Sequence, residues 1–260
     1  MAIKLEKLRE EKKKGKLVFL IKGSDEVFAN TIRRLIIEEV PTLAVETLEV
    51  KENNSALYDE MLALRIGLTP IKTDLKSYNL KSKCKCDNVG CAQCELKITL
   101  KSNKKGYVYA GEAESTDPKC TFVHEKMPVA KLLARQKIDV TMTAIMGQGK
   151  THIKWAPGWA FYRTEPVLKV GKVKDPQELA KRSSDGVFTY KNNKLEVNND
   201  QVYESQLLEY YTELDKAITI EYTDNLVFTL ESWGQLSLKE ILTESANILI
   251  NKVEEMEKLI

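Results

Sequence analysis

The chain has 260 residues, with 40 Lys+Arg set against 38 Asp+Glu for a formal net charge of +2. That balance argues against a protein devoted to coating nucleic acid, which needs a strongly basic surface, although local basic clusters could still touch phosphate. Hydrophobic residues at 43% and charged residues at 30% leave ample apolar material for a core. No apolar run approaches the roughly 20 residues that span a bilayer, and the N-terminal MAIKLEKLREEKKKGK lacks an apolar signal core. The expected location is therefore cytoplasmic, with no membrane partner.

The run from Lys16 to Ile21 (KLVFLI) is rich in β-formers and follows the charged turn EEKKKGK. Lys12, Lys13 and Lys14 in that turn read as an exposed loop, with contact to a polymer or partner as the alternative. A helix is predicted from an N-cap at Ser24, with Asp25 and Glu26 favourably placed in its first turn. Phe28, Ile32, Leu35 and Ile36 follow i, i+4, i+7, i+8 spacing and make one apolar stripe. Pro41 disfavours helix at Val40 and ends it. From Ala44 to about Glu165 the pattern turns to alternation, with strands predicted at Val45 to Val50, Leu96 to Leu100 and Ile138 to Ala144, and one short helix in LYDEMLALRIG. Trp155-Ala-Pro-Gly158 marks a tight turn. The stretch from Lys172 to Lys216 reads as polar and irregular, with Asp175-Pro176 and an NNK turn. A hairpin is predicted around Asp224-Asn225. Ser237 and Glu240 then form an S-x-x-E capping box. Leu242, Ala246, Leu249, Val253, Met256 and Ile260 recur at 4-3-4-3-4 spacing, the period of a helix packing lengthwise on another helix. At about 1.5 Å per residue that helix extends roughly 36 Å.

Two constellations carry chemistry. Four of the five cysteines lie between Cys84 and Cys94, as Cys84-Lys-Cys86 and Cys91-Ala-Gln-Cys94. Such clustering fits a tetrahedral zinc site, with Gly90 allowing the tight turn that convergence needs. Free thiols, or two disulfides in a hyperthermophile, are the alternatives. A closed set of four thiolates leaves no position for water, so the metal would be structural. Cys120 reads as a packed thiol. The second constellation is the apolar surface of the two terminal helices. Ile241, Ile248 and Leu259 widen the C-terminal stripe, so it either packs on the chain's own sheet or pairs with a partner's helices. By contrast, Gly147-Gln-Gly149-Lys150-Thr151 lacks the earlier glycine of a phosphate-binding loop, since Ala144 stands there. No nucleophile elbow, zinc-protease motif or magnesium-binding carboxylate cluster is present, so no catalytic residue is expected.

Three stretches together resemble the α-like subunits of RNA polymerase, the family of the archaeal D subunit: Phe28 to Val45 (FANTIRRLIIEEVPTLAV), Asn53 to Ile71 (NNSALYDEMLALRIGLTPI) and Gly147 to Gly158 (GQGKTHIKWAPG). The resemblance implies an α+β fold. A discontinuous α-like dimerisation domain, a sheet plus two helices, would comprise residues 1–44, 166–171 and 217–260. It would be interrupted by a mostly β insert domain (45–165) carrying the cysteine loop and by a degenerate ferredoxin-like insert (172–216). Many archaeal members carry iron–sulfur cysteines in the latter; Ser183-Ser184-Asp185-Gly186-Val187-Phe188 resembles its edge, yet 172–216 contains no cysteine, so no iron–sulfur cluster is expected.

The resemblance further implies a non-catalytic assembly subunit that pairs with the smaller subunit L, is joined by subunits N and P, and recruits the large subunits B and A. DNA would be met only through the complex. The dimer seam would be Phe28, Ile32, Leu35, Ile36, Leu242, Leu249, Val253 and Met256, and the large-subunit contact Asn30, Arg33 and Arg34. It also strengthens zinc as the metal, because eukaryotic relatives carry a zinc site at the same place. The competing reading is a zinc-containing nucleic-acid-binding module; a nucleotide-dependent enzyme would rest on the imperfect GKT alone.

Overall fold

The computed structural model describes residues 3–86 and 88–260. In chain order these form β1 (Lys4–Glu11), β2 (Lys16–Lys22), α1 (Glu26–Arg34), β3 (Thr42–Asn53), α2 (Asp59–Gly67), β4 (Glu95–Ser102), β5 (Gly106–Tyr109), β6 (Glu114–Ser115), β7 (Pro128–Leu132) and β8 (Ile138–Gly147). There follow β9 (Gly158–Val170), α3 (Pro176–Arg182), β10 (Phe188–Lys191), β11 (Lys194–Val197), α4 (Asn199–Val202), α5 (Leu208–Leu214), β12 (Ile218–Ser232) and α6 (Leu238–Glu257). The chain divides into two compact units, Met1–Thr31 with Phe161–Leu230 and Ile32–Ala160 with Glu231–Ile260. α6 falls in the same unit as 32–160.

The first unit centres on a four-stranded sheet ordered β1-β2-β12-β9. β1 and β2 pair antiparallel from Lys4↔Lys22 to Glu11↔Lys16, and Gly15 closes their lysine turn with a φ of 63°. Val18, Leu20 and Val227 are buried together, and Phe19 stacks on Phe228 at 5.1 Å. Pro166, which cannot donate to a ladder, sits on the edge strand β9.

The hairpin expected at Asp224-Asn225 is not formed. β12 runs unbroken for 15 residues, and neither residue takes the positive φ that a two-residue turn demands. Asn225 and its neighbour Thr223 have another use. Thr223 Oγ1 and Asn225 Nδ2 each donate to Glu165 Oε2 at 2.8 Å, and Tyr203 donates to Oε1 at 3.3 Å, satisfying a carboxylate only 8% exposed.

Residues 172–216, expected to be irregular, are ordered. Asp175 caps α3 by accepting from the Gln177 and Glu178 N–H groups, with Pro176 in the first turn. The NNK turn joins β10 to β11, with Asn192 and Asn193 at φ 52° and 60°. Leu179, Val187, Phe188, Val202, Leu208, Tyr211 and Ile218 close into a separate core. The polarity read from sequence was real, but it hid apolar residues spaced over short elements, which a helix-length window averages away.

The second unit holds the sheet β3-β8-β4-β6 and the ribbon β5-β7. Ile138, Val140, Met142, Ala144 and Met146 of β8 and Leu96, Ile98 and Leu100 of β4 face one core on strict alternation. Each large side chain so enclosed contributes roughly 1.5–3 kcal/mol. α2 adds Leu62 and Ile66 to the same core.

The N-cap of α1 is Asp25 rather than Ser24: the helix begins at Glu26, and Asp25 Oδ1 accepts from Phe28 N at 2.9 Å. Its end is wider than an α-helix. Leu35–Glu39 form a π-turn, with Val40 N–H donating five residues back to Leu35 O at 3.1 Å. The extra residue widens the last turn just before Pro41.

Candidate functional site

The cysteine loop leads into β4, which starts at Glu95 immediately after Cys94. Turns set the sulfurs: Cys94 N–H donates to Cys91 O at 3.0 Å, and Val89 N–H to Cys86 O at 3.0 Å. Asn88 and Gly90 take φ of 68° and 101°, the left-handed conformations that fold the loop back. Lys81 pairs with Glu95 Oε1 at 2.7 Å across its base. All four Sγ atoms come within 4.8 Å of one another. Cys84–Cys91 are 3.5 Å apart, Cys86–Cys94 3.6 Å and Cys91–Cys94 3.8 Å.

Those separations speak against the disulfide reading and fit a metal site. A tetrahedron with metal–sulfur bonds of about 2.3 Å has edges of about 3.8 Å, whereas a disulfide requires about 2.05 Å. The sulfurs therefore stand at metal-ligand distance. Hydrogen bonds from the Gly90 N–H and from Cys84 hold the Cys86 thiol down at about 7. Burial pushes Cys94 up to about 12. One thiolate is thus ready near neutrality, and a bound divalent cation would supply the charge that lets the rest ionise. Cys120, fully buried in the core of the second unit, stands outside the cluster, and burial raises its thiol to about 11.

The expected seam residues divide. Leu35 and Ile36 are 6% and 0% exposed within their own chain, because the π-turn that carries them packs against α6; they support the helix and are not available as surface. Phe28, Ile32, Leu242 and Leu249 are half-buried. Val253 and Met256 are open, at 50% and 63% exposure. On α6, Ile241 and Ser245 are the buried residues, and every residue from 251 onward is exposed. The capping box forms as spelled, with Ser237 Oγ accepting from Glu240 N at 3.3 Å and Ser237 N donating to Glu240 Oε2 at 2.9 Å. Of the three α1 residues expected against a large subunit, Arg34 is exposed and pairs with Glu38 at 3.1 Å. Asn30 and Arg33 are half-buried and engaged within the chain.

The imperfect phosphate-loop motif has a packing explanation. A Cβ on Gly149 would lie 1.9 Å from Ile37 O, and Lys150 N–H donates to Glu38 O at 2.9 Å, so this glycine lets the loop lie directly on the π-turn. Lys150 Nζ is held by Glu39 Oε2 at 3.1 Å. Lys154 pairs with Glu46, donates to Val45 O at 3.0 Å and sits 4.4 Å over the Trp155 ring. Glu39 was not singled out by the sequence: nothing in the run IIEEV distinguishes it from Glu38.

The pattern of the RNA polymerase Rpb3/Rpb11 dimerisation domain matches residues 18–253. The DNA-directed RNA polymerase subunit Rpo3 of Methanosarcina acetivorans is 32% identical over 244 residues, covering 92% of this chain and 91% of that protein. The subunit of the same name from Archaeoglobus fulgidus is 32% identical over 255 residues, with 96% of each covered. That of Pyrococcus furiosus is 31% identical over 264 residues, again with 96% of each covered.

Proposed function

The chain belongs to the family of the RNA polymerase Rpb3/Rpb11 dimerisation domain, and from that premise we propose that it is a non-catalytic assembly subunit of an archaeal DNA-directed RNA polymerase. It pairs with a smaller L-type subunit, and the pair forms the platform that N and P join and on which B and A assemble. The observation that carries this reading is a family match running from β2 into the C-terminal half of α6, a half in which Ile250, Val253 and Met256 are 54%, 50% and 63% exposed. An apolar helix end of that kind is a surface that wants cover, and a lasting subunit interface would bury roughly 2,000 Å² or more.

Within this reading the dimerisation domain draws on both ends of the chain, 45–165 is an insert stabilised by zinc on Cys84, Cys86, Cys91 and Cys94, and 172–216 is a ferredoxin-like insert without a cluster. Zinc here would fold the loop and take no part in chemistry, since four thiolates close its coordination. Asn30, Arg33 and Arg34 face a large subunit, DNA is reached only through the complex, and the setting is the cytoplasm. A stand-alone nucleic-acid-binding module is not favoured by the family, and the near-neutral charge of the chain does not support it.

Co-expression with the L-type partner tests the pairing. The two should co-purify in equal amounts and the melting temperature should rise by several degrees, because anything that binds only the folded chain stabilises it. A chain that stays monomeric, with a melting temperature indifferent to the partner, would defeat the proposal.

A further inference from the structure

We propose that Glu39 is a positioning residue for α6: its two carboxylate oxygens tie α6 to the loop that follows β8 and so fix the direction in which the open end of α6 projects. The proposal rests on the pairing reading above and adds the device that prepares the seam.

Glu39 closes the π-turn, with its side chain only 16% exposed. Oε1 meets Lys252 Nζ of α6 at 3.0 Å. Oε2 meets Lys150 Nζ at 3.1 Å and accepts from Gln148 Nε2 at 3.3 Å. Gln148 Nε2 also donates to the Glu39 carbonyl at 2.8 Å. The acceptor is thus anchored at both its backbone and its side chain. Burial alone would raise this carboxyl, but the two lysines outweigh it and hold it below the usual range.

Position along α6 gives the pair its meaning. At about 100° per residue, Ile241, Ser245, Ile248 and Lys252 lie on one line, and Leu242, Ala246, Leu249 and Val253 lie on another roughly a quarter-turn away. The first line carries the buried Ile241 and Ser245, and Lys252 is where it ends, since 251–260 are all exposed. The Lys252–Glu39 pair thus ties α6 to the π-turn at the point where, among the described residues, the buried line of the helix gives way to exposed residues. Beyond it, Val253 and Met256 stand open. A helix hinged at its N-terminal half would present that surface over a cone of directions. A partner then binds with an affinity reduced by the fraction of time the helix points correctly.

The test uses the full chain with the L-type partner. In Glu39→Gln, hydrogen exchange of the free chain over 250–257 should quicken and the partner's dissociation constant should rise about tenfold, as for a competent fraction near one-tenth. Lys252→Met should do the same, and the double variant should be little worse than either single, as coupled groups require. Additive losses, or unchanged exchange and unchanged affinity in Glu39→Gln, would overturn the proposal. If the unaltered chain does not bind the partner at all, the pairing reading falls, and exchange in the free chain still reports whether Glu39 steadies α6.

Discussion

The sulfur atoms of Cys84, Cys86, Cys91 and Cys94 are held by turns that need Gly90 at φ 101°, and that geometry makes removal of any one sulfur costly to the whole loop. Cys94→Ser should take bound metal from about one equivalent to about none, measured by elemental analysis, while Cys120→Ser should keep it. Chelation should lower the melting temperature of the unaltered chain and leave Cys94→Ser unmoved. A second residue, Asp185, organises the core of 172–216. It accepts from Ser205, Tyr211 and Ser183. Burial pushes its carboxyl up, but the bonds from Ser205, Tyr211, the Val187 N–H and Ser183 prevail and hold it below the ordinary value of 3.8. A depressed carboxyl stabilises the fold above its unfolded value and loses that contribution as the pH falls through its folded value. Asp185→Asn should therefore flatten the acid limb of stability below about pH 4, and Tyr211→Phe should cost about 1.5–3 kcal/mol near neutrality. Denaturation followed between pH 2 and 7 would check both; an acid limb in Asp185→Asn as steep as in the parent would count against this role.

At the scale of elements, α6 combines two faces with different duties. Its N-terminal half is fixed by the Ser237–Glu240 box, a cap of about 1 kcal/mol, and by burial of Ile241 and Ser245. Its C-terminal half offers apolar side chains that the chain itself leaves open. Val253→Asp should therefore shift the stability of the lone chain by no more than about 0.5 kcal/mol, yet weaken pairing by about 2 kcal/mol or more, close to thirtyfold. Titration with the partner, beside thermal melts of the lone chain, separates the two effects. A large melting loss without loss of affinity would mean that Val253 serves the fold. The 3.5-residue repeat was legible in sequence, but periodicity gives the direction of a side chain from its own helix and not what lies opposite. For that reason Leu35 and Ile36 joined the expected seam although their own chain encloses them. The unbroken strand through Asp224-Asn225 has a similar origin: a turn-forming pair is only a local preference, and within β12 Asn225 bonds a buried Glu165 far away in sequence.

Across the whole molecule, mass action gives the broadest prediction. If the chain is one half of an obligate pair, its apparent stability in the presence of the L-type partner should climb with concentration, by about 2.7 kcal/mol at a partner concentration one hundred times the dissociation constant. Melting curves over a partner titration would show it, and a flat series would argue against pairing. The sequence by itself determined what depends on neighbours within a few residues: the alternating strands of β4 and β8, the helix in LYDEMLALRIG, the box that starts α6, the cysteine spacing, and the family through its motifs. Only the tertiary structure decided that four sulfurs converge at metal-ligand distance, that 172–216 closes around Asp185, that Gly149 and Lys150 serve packing, and that Glu39 reaches α6. Those facts join residues as much as 213 positions apart. Such pairings arise when the chain closes long loops to bury its apolar surface, and no local pattern records which distant group each side chain will meet.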